Sequence, residues 1–168
     1  MKKLNLKTES SLAILALLIS VSTLIVYVYQ SNIMKEQQRI SVWPYIEWMP
    51  SWNADNFFIE VNNKGIGPAI VRKVEISLNG KYFKNFNEVV SSIPGLKNKE
   101  FSYSTINNRV IAANESIRAL SINDPESISL LTEFLKNNDF KFEIYYSSVY
   151  GDGWKSLGSK VVEYQFED

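Results

Sequence analysis

The 168-residue chain contains no cysteine and no histidine. The first absence removes disulfides, thiolate zinc ligands and thiol nucleophiles. The second removes the usual general base near neutral pH and the commonest metal ligand. A serine nucleophile is then left with lysine as its base, and no S-x-x-K stands at a helix start. "SLNGK" and "SVYGDGWK" both fall at turns. Neither sign of charge is in excess, with 18 basic and 18 acidic residues. A general nucleic-acid binder carries a basic surplus to displace counterions from phosphate, so that partner class is set aside. At 45% hydrophobic and 21% charged, the chain is neither disordered nor a multi-span membrane protein.

Charge is also missing locally. Residues 11–29, "SLAILALLISVSTLIVYVY", include no charged side chain. As a helix this run covers roughly 28 Å, close to the hydrocarbon thickness of a bilayer. It is longer than the core of a signal peptide, and "YVYQSNIM" offers no small-x-small cleavage site, so an uncleaved single-pass anchor is expected. Tyr27 and Tyr29 suit a membrane interface. Lys2, Lys3 and Lys7 precede the run, against Lys35 and Arg39 after it. The positive-inside rule then puts the basic tail, residues 1–10, in the cytoplasm and the remaining chain on the other side of the membrane. Residues 30–40 are polar and free of glycine and proline, which predicts a helical stalk. Such a stalk would carry Trp43 about 21 Å past the membrane edge, too far for an interfacial belt. Ser20, Ser22 and Thr23 are small polar residues suited to contacts between spans, although no G-x-x-x-G is present.

Beyond residue 40 the dominant period is two. Phe57, Ile59 and Val61 alternate with Phe58, Glu60 and Asn62. Ile70, Arg72, Val74, Ile76 and Leu78 alternate with Val71, Lys73, Glu75, Ser77 and Asn79. Phe140, Phe142, Ile144 and Tyr146 form a third such row, and Val162, Tyr164 and Phe166 a fourth. Each predicts a strand with one buried face, and Arg72 in the second row suggests an edge or rim. Asn79-Gly80 is a two-residue hairpin signal, and Gly151-Asp152-Gly153 marks another turn. Two helical inserts are expected. "NDPESISLLTEFLKNN" has Asp124 as N-cap and Pro125 in the first turn, and "NFNEVVSSIPG" is a shorter one.

Seven or eight short strands with few helices predict a mainly β protein. It would combine an N-terminal transmembrane helix with an immunoglobulin-like antiparallel β-sandwich over residues 41–168, carrying one or two short helical inserts. Residues 41–52, "SVWPYIEWMPSW", hold three of the four tryptophans. They read as its first strand, with Pro44, Ile46 and Trp48 on one face and Pro44 demanding an edge or bulge.

"FFIEVNNKGIGPAIVRKVEISLNGKYF" looks like a strand, an N-x-G-x-G-x-A loop and a second strand. It resembles bacterial and archaeal immunoglobulin-like, adhesion-type modules. Together with the N-terminal anchor, "SVWPYIEW" and "YYSSVYGDGW", it is similar to small bacterial membrane-anchored proteins bearing such a domain. The resemblance covers most of the chain and implies a fold and a membrane location, but no activity. Gly65 and Gly67 would permit a tight inter-strand corner, stiffened by Pro68.

Few residues point to chemistry. Gly65-Ile66-Gly67-Pro68 is followed by strand residues, not by the helix a phosphate cradle needs. Asp152 has no acidic neighbours in sequence for calcium. Neither a metal nor an organic cofactor is expected. Glu47, Glu60, Glu75 and Glu143 lie on strands, where two carboxylates would suffice for a glycan enzyme of the envelope. The favoured expectation is non-catalytic recognition or scaffolding at the membrane. The chain would touch the bilayer through residues 11–29 and a protein partner through Trp52, Tyr145, Tyr150 and Trp154, aromatic residues near turns or on polar faces. The alternative is an effector or accessory subunit of a defence- or toxin-type assembly, a homo-oligomer joined through its transmembrane helix.

Overall fold

The computed structural model describes residues 3–167, which fall into two compact units that divide after Ile40. The first unit is one helix, α1, Lys3–Ile40. No glycine or proline occurs before Pro44, so nothing interrupts the backbone ladder. Its Thr8–Ile40 portion is long and apolar enough to cross a membrane, a description that a signal sequence also meets.

Among the described residues the second unit has ten strands and two helices. In chain order these are β1 Ile46–Trp52, β2 Phe57–Asn63, β3 Ala69–Leu78, β4 Lys81–Phe83, α2 Phe86–Ser92, β5 Ser102–Tyr103, β6 Val110–Ile111, β7 Ser116–Ile122, α3 Pro125–Asn137, β8 Phe140–Ser147, β9 Gly153–Ser156 and β10 Val161–Glu163. They make two antiparallel sheets. One has the order β1-β2-β7-β5; the other runs β10-β9-β8-β3-β4, with β6 also on β3.

Both sheets line a single core. Ile46, Phe57, Ile59, Val61, Ile117 and Leu120 come from the first, and Val71, Ile76, Phe142, Ile144 and Tyr146 from the second. β2 alternates strictly, with every second side chain inside, and β8 puts Phe142, Ile144 and Tyr146 on the core while Tyr145 is buried on its outer face. α2 begins at Asn85, whose side chain accepts from the Glu88 amide, and buries Phe86, Val89 and Val90. α3 has the expected start, with Asp124 accepting from the Ser127 amide and Pro125 in the first turn. Asn79 and Gly80 both adopt positive φ in the β3–β4 turn, the backbone that a two-residue hairpin requires.

Three strand expectations are corrected. The first strand starts at Ile46, not Ser41, because residues 43–45 bond to a loop instead of a neighbouring strand. β1 is nevertheless an edge strand, and it carries Pro50 within it. In β3 the pairing with β8 shifts between Val71 and Lys73, so Arg72 is an inserted bulge residue. The inward row is therefore Ala69 and Val71 before the bulge and Val74, Ile76 and Leu78 after it. β3 is an interior strand, flanked by β8 on one side and by β6 and β4 on the other, and Arg72 falls in the gap between those last two pairings. At the last strand Val161, not Val162, packs on the core, and pairing stops at Glu163.

Candidate functional site

The centre of the best-defined polar arrangement is Asn63, only 1% exposed at the end of β2. Its side-chain oxygen accepts from the amides of Tyr45, at 3.1 Å, and Gly65, at 3.0 Å. Its side-chain nitrogen donates to the carbonyls of Gly67, at 2.8 Å, and Ile111, at 3.0 Å. An amide has two donors and a two-lone-pair acceptor, so all four valences are used. Its backbone is engaged as well, with Glu115 O and Asn114 N. Lys64 N and Ile66 N add bonds to Tyr45 O and Trp43 O. Asn63 thus clasps residues 43–45, the loop at 64–68 and β6 into one end of the unit.

The two glycines of this loop have a steric role there. A Cβ on Gly65 would overlap the Trp43 carbonyl, and one on Gly67 would overlap the backbone of Val42. The tight corner expected from the sequence is thus a close approach of two backbone segments, without positive φ at either glycine. Glu47, almost fully buried beside it, is paired with Lys64 at 2.6 Å.

Around this rigid centre the loops present apolar side chains to water. Ile66 is 65% exposed, Val110 56%, Val149 and Tyr150 52% each, and Trp43 44%. Strand register brings their loops together. Ile70 lies opposite Val110 on one side and Ser147 on the other, and the turn carrying Val149 and Tyr150 follows Ser147 directly. Ser148 N donates to Asp152 O at 2.8 Å and Tyr150 N to Ser148 Oγ at 3.1 Å, closing that turn. The Asp152 carboxylate accepts from Ser148 Oγ at 3.2 Å, as a turn residue.

A second polar group lies on the outer face of the other sheet. Glu75 and Glu143 stand opposite each other in register, and the Tyr145 hydroxyl is 2.9 Å from a carboxylate oxygen of each. Lys155 Nζ is 2.9 Å from Glu143 and Lys73 Nζ 2.5 Å from Glu75. Tyr164 covers Tyr145 edge-on at 4.8 Å. Burial, and then the two carboxylates, hold the Tyr145 phenol far above its ordinary range. The Lys73 hydrogen bond holds Glu75 below the usual carboxylate range, helped by Tyr145 and opposed by burial. A glycosidase acid needs the reverse, a carboxyl kept protonated near neutral pH. Of the four strand glutamates that the sequence suggested, Glu75 and Glu143 meet here in a network cross-braced by Tyr145, Lys73 and Lys155.

The four aromatic candidates do not share a surface. Tyr150 sits on the apolar loop end. Trp154 is at the same end, but opposite Tyr146 in register and stacked on it at 5.8 Å, facing the core with Trp43 over its edge at 6.5 Å. Tyr145 is 7% exposed beneath Tyr164. Trp52 is exposed but ends β1, six residues along the strand from Ile46, or about 20 Å away. Ile66, Val110 and Val149 are not among the residues that the sequence singles out. For Ile66 a signal exists, a large aliphatic residue between two glycines.

No curated protein and no solved structure matches the chain. Residues 9–164 match a family described as a domain of unknown function, DUF8453. With a match over nearly its whole length, the chain belongs to that family.

Proposed function

We propose that this chain is a membrane-tethered, non-catalytic recognition protein that binds another protein through the loop end of its β unit. The observation that carries this reading is the exposure of Ile66, Val110, Val149 and Tyr150 at one end of the unit, the first two on segments that the Asn63 clasp holds. Apolar side chains of this kind are unfavourably placed in water, and grouped at one end of a rigid scaffold they fit an interaction site. Tyrosine adds an anchor that is apolar along its ring and polar at its tip.

An immunoglobulin-like sandwich is the finer fold we assign. Its support is the strand order: first–second–seventh–fifth in one sheet and fourth–third–eighth–ninth in the other follows the A-B-E-D and C′-C-F-G order of such domains. In that architecture the loops gather at the two ends, as they do around Asn63. We further assign residues 11–29 as an uncleaved single-pass anchor in a bacterial cytoplasmic membrane. The β unit would lie on the extracytoplasmic side, supported by the unbroken helix through Ile40 and by Lys2, Lys3 and Lys7 before the apolar run.

The test has two arms on the full-length chain in cells. Ser159→Cys in this cysteine-free protein should react with a membrane-impermeant maleimide in intact cells; reaction only after permeabilisation overturns the orientation. Ile66→Ser with Tyr150→Ser should abolish co-purification of a cross-linked partner, whereas Trp52→Ser should leave it intact. The opposite pattern would remove the loop end as the recognition surface.

A further inference from the structure

We infer that α1 self-associates with a second copy of this chain, as a parallel pair meeting along one heptad seam that carries no charge from Leu12 to Ile40. The inference rests on the anchor reading above. Leu12, Ile19, Val26, Ile33 and Ile40 recur every seventh residue, and Ala16, Thr23, Gln30 and Gln37 interleave with them at alternating steps of four and three. That spacing averages 3.5 residues, the period of helices that wind around each other.

Within an apolar span such a period alone says little, because almost every residue there is apolar. In residues 30–40 it discriminates. The same phase selects Ile33 and Ile40, two of the three large apolar residues there, and passes over Lys35, Glu36 and Arg39, leaving Met34 at the flank. Ile33 is 40% exposed and Ile40 60%, on a polar stretch too far along the helix for lipid tails to cover. A facing helix of the same period covers both.

A geometric observation points to the same seam. α1 carries a groove of about 380 Å³ lined by Leu18, Ile19, Ser22, Thr23 and Val26. In a parallel pair, a core side chain enters a hole made by the preceding core residue, its flanking neighbour, the residue at its own level and the next core residue. For a knob at Thr23 those four are Ile19, Ser22, Thr23 and Val26, four of the five that line the groove.

The hole is chemically ready for that contact. Ser22 and Thr23 donate their hydroxyl protons to the carbonyls of Leu18 and Ile19, each at 2.8 Å. Carbon surface is thus presented without an unsatisfied donor in lipid. Ser20, grouped with these two from sequence, bonds to Ala16 O and does not line the groove.

The occupant is specified by self-complementarity. A parallel copy in register puts Thr23 opposite the hole that Thr23 helps to form, and brings Gln30 and Gln37 against their own counterparts. Each side-chain amide can both donate and accept, so these layers favour matched register. From Leu12 to Ile40 no charge lies on the seam to oppose two identical helices, and the one charged residue of α1 in the same phase, Glu9, falls before the apolar run, where water can screen it.

Single cysteines placed along residues 30–40 of the full-length protein, oxidised in native membranes, test this. Disulfide-linked dimer should peak at Ile33→Cys, Gln37→Cys and Ile40→Cys, and fall to minima at Ser31→Cys, Lys35→Cys and Gln38→Cys. On the Ile33→Cys background, Thr23→Trp overfills the hole and should lower dimer yield about tenfold. A flat or phase-shifted profile, or a yield insensitive to Thr23→Trp, in protein that resists carbonate extraction overturns the seam and leaves the anchor standing. A mature chain that lacks residues 1–29 by intact mass overturns both.

Discussion

The Asn63 side-chain oxygen and the Tyr45 amide are joined at 3.1 Å, across eighteen residues of sequence. This bond fixes the segment that follows α1 in the chain to the end of β2, at the point where the apolar loops gather. Asn63 bonds four backbone groups in a largely dry corner. It therefore sets the geometry of the proposed recognition surface while its own side chain is buried beneath it.

Asn63→Ala should destabilise the β unit by about 3–5 kcal/mol, because buried groups lose their partners and a small void is left. Asn63→Asp keeps the acceptor and loses both donors. It should also destabilise, and less so at acid pH, where a protonated carboxyl regains one donor. Chemical denaturation of the full chain in detergent, followed by tryptophan fluorescence, measures both. An alanine variant as stable as the parent would remove Asn63 from its central role.

Gly67→Ala should cost more than about 3 kcal/mol, since the new Cβ meets the Val42 backbone, which cannot yield as a flexible side chain would. Gly80→Ala is a useful contrast. No atom lies within 4 Å of the point where its Cβ would stand, and its φ of +79° alone should cost about 1 kcal/mol. Parallel melting curves give the ranking, and equal losses at the two positions would contradict it.

Glu75 supplies a pH dependence with a definite sign. Its carboxyl is held below the ordinary range in the fold, first by the Lys73 hydrogen bond. The unfolded chain therefore binds the proton more tightly, and the contribution of Glu75 is present at neutral pH and lost as pH falls through its depressed folded value. The stability gap between the parent and Glu75→Gln should be largest near neutrality and narrow below about pH 4.3. Melting temperatures from pH 7 to pH 3 test this. A gap that widens on acidification would reverse the assignment.

Much of this fold is legible where one element keeps one face. β2 alternates without interruption, and the inward rows of β2 and β8 are those that the period of two predicts. Arg72 shows where the period fails. A bulge inserts a single residue, and the apolar residues on its two sides then belong to different phases of the same inward face. Residues 43–45 look like strand because aromatic and apolar side chains alternate there, but their partners are backbone groups about twenty residues on.

The candidate site is only partly visible in the sequence for the same reason. Tyr150 stands beside a recognisable turn, which accounts for its exposure. Tyr145 is covered by Tyr164 from another part of the chain, which no local pattern reveals. Val110, in the two-residue β6, and Val149, in a turn, are isolated apolar residues. Only the pairing of β3 with both β6 and β8 brings their segments together.

Site-specific photo-crosslinking in living cells addresses the recognition surface most directly. A photoreactive phenylalanine analogue would replace Ile66, Tyr150, Trp52 or Tyr82 in the full-length chain, all exposed positions and only the first two on the loop end. Discrete protein adducts at Ile66 and Tyr150, absent at Trp52 and Tyr82, are the predicted result. Adducts at Trp52 or Tyr82 with none at the loop end would contradict it.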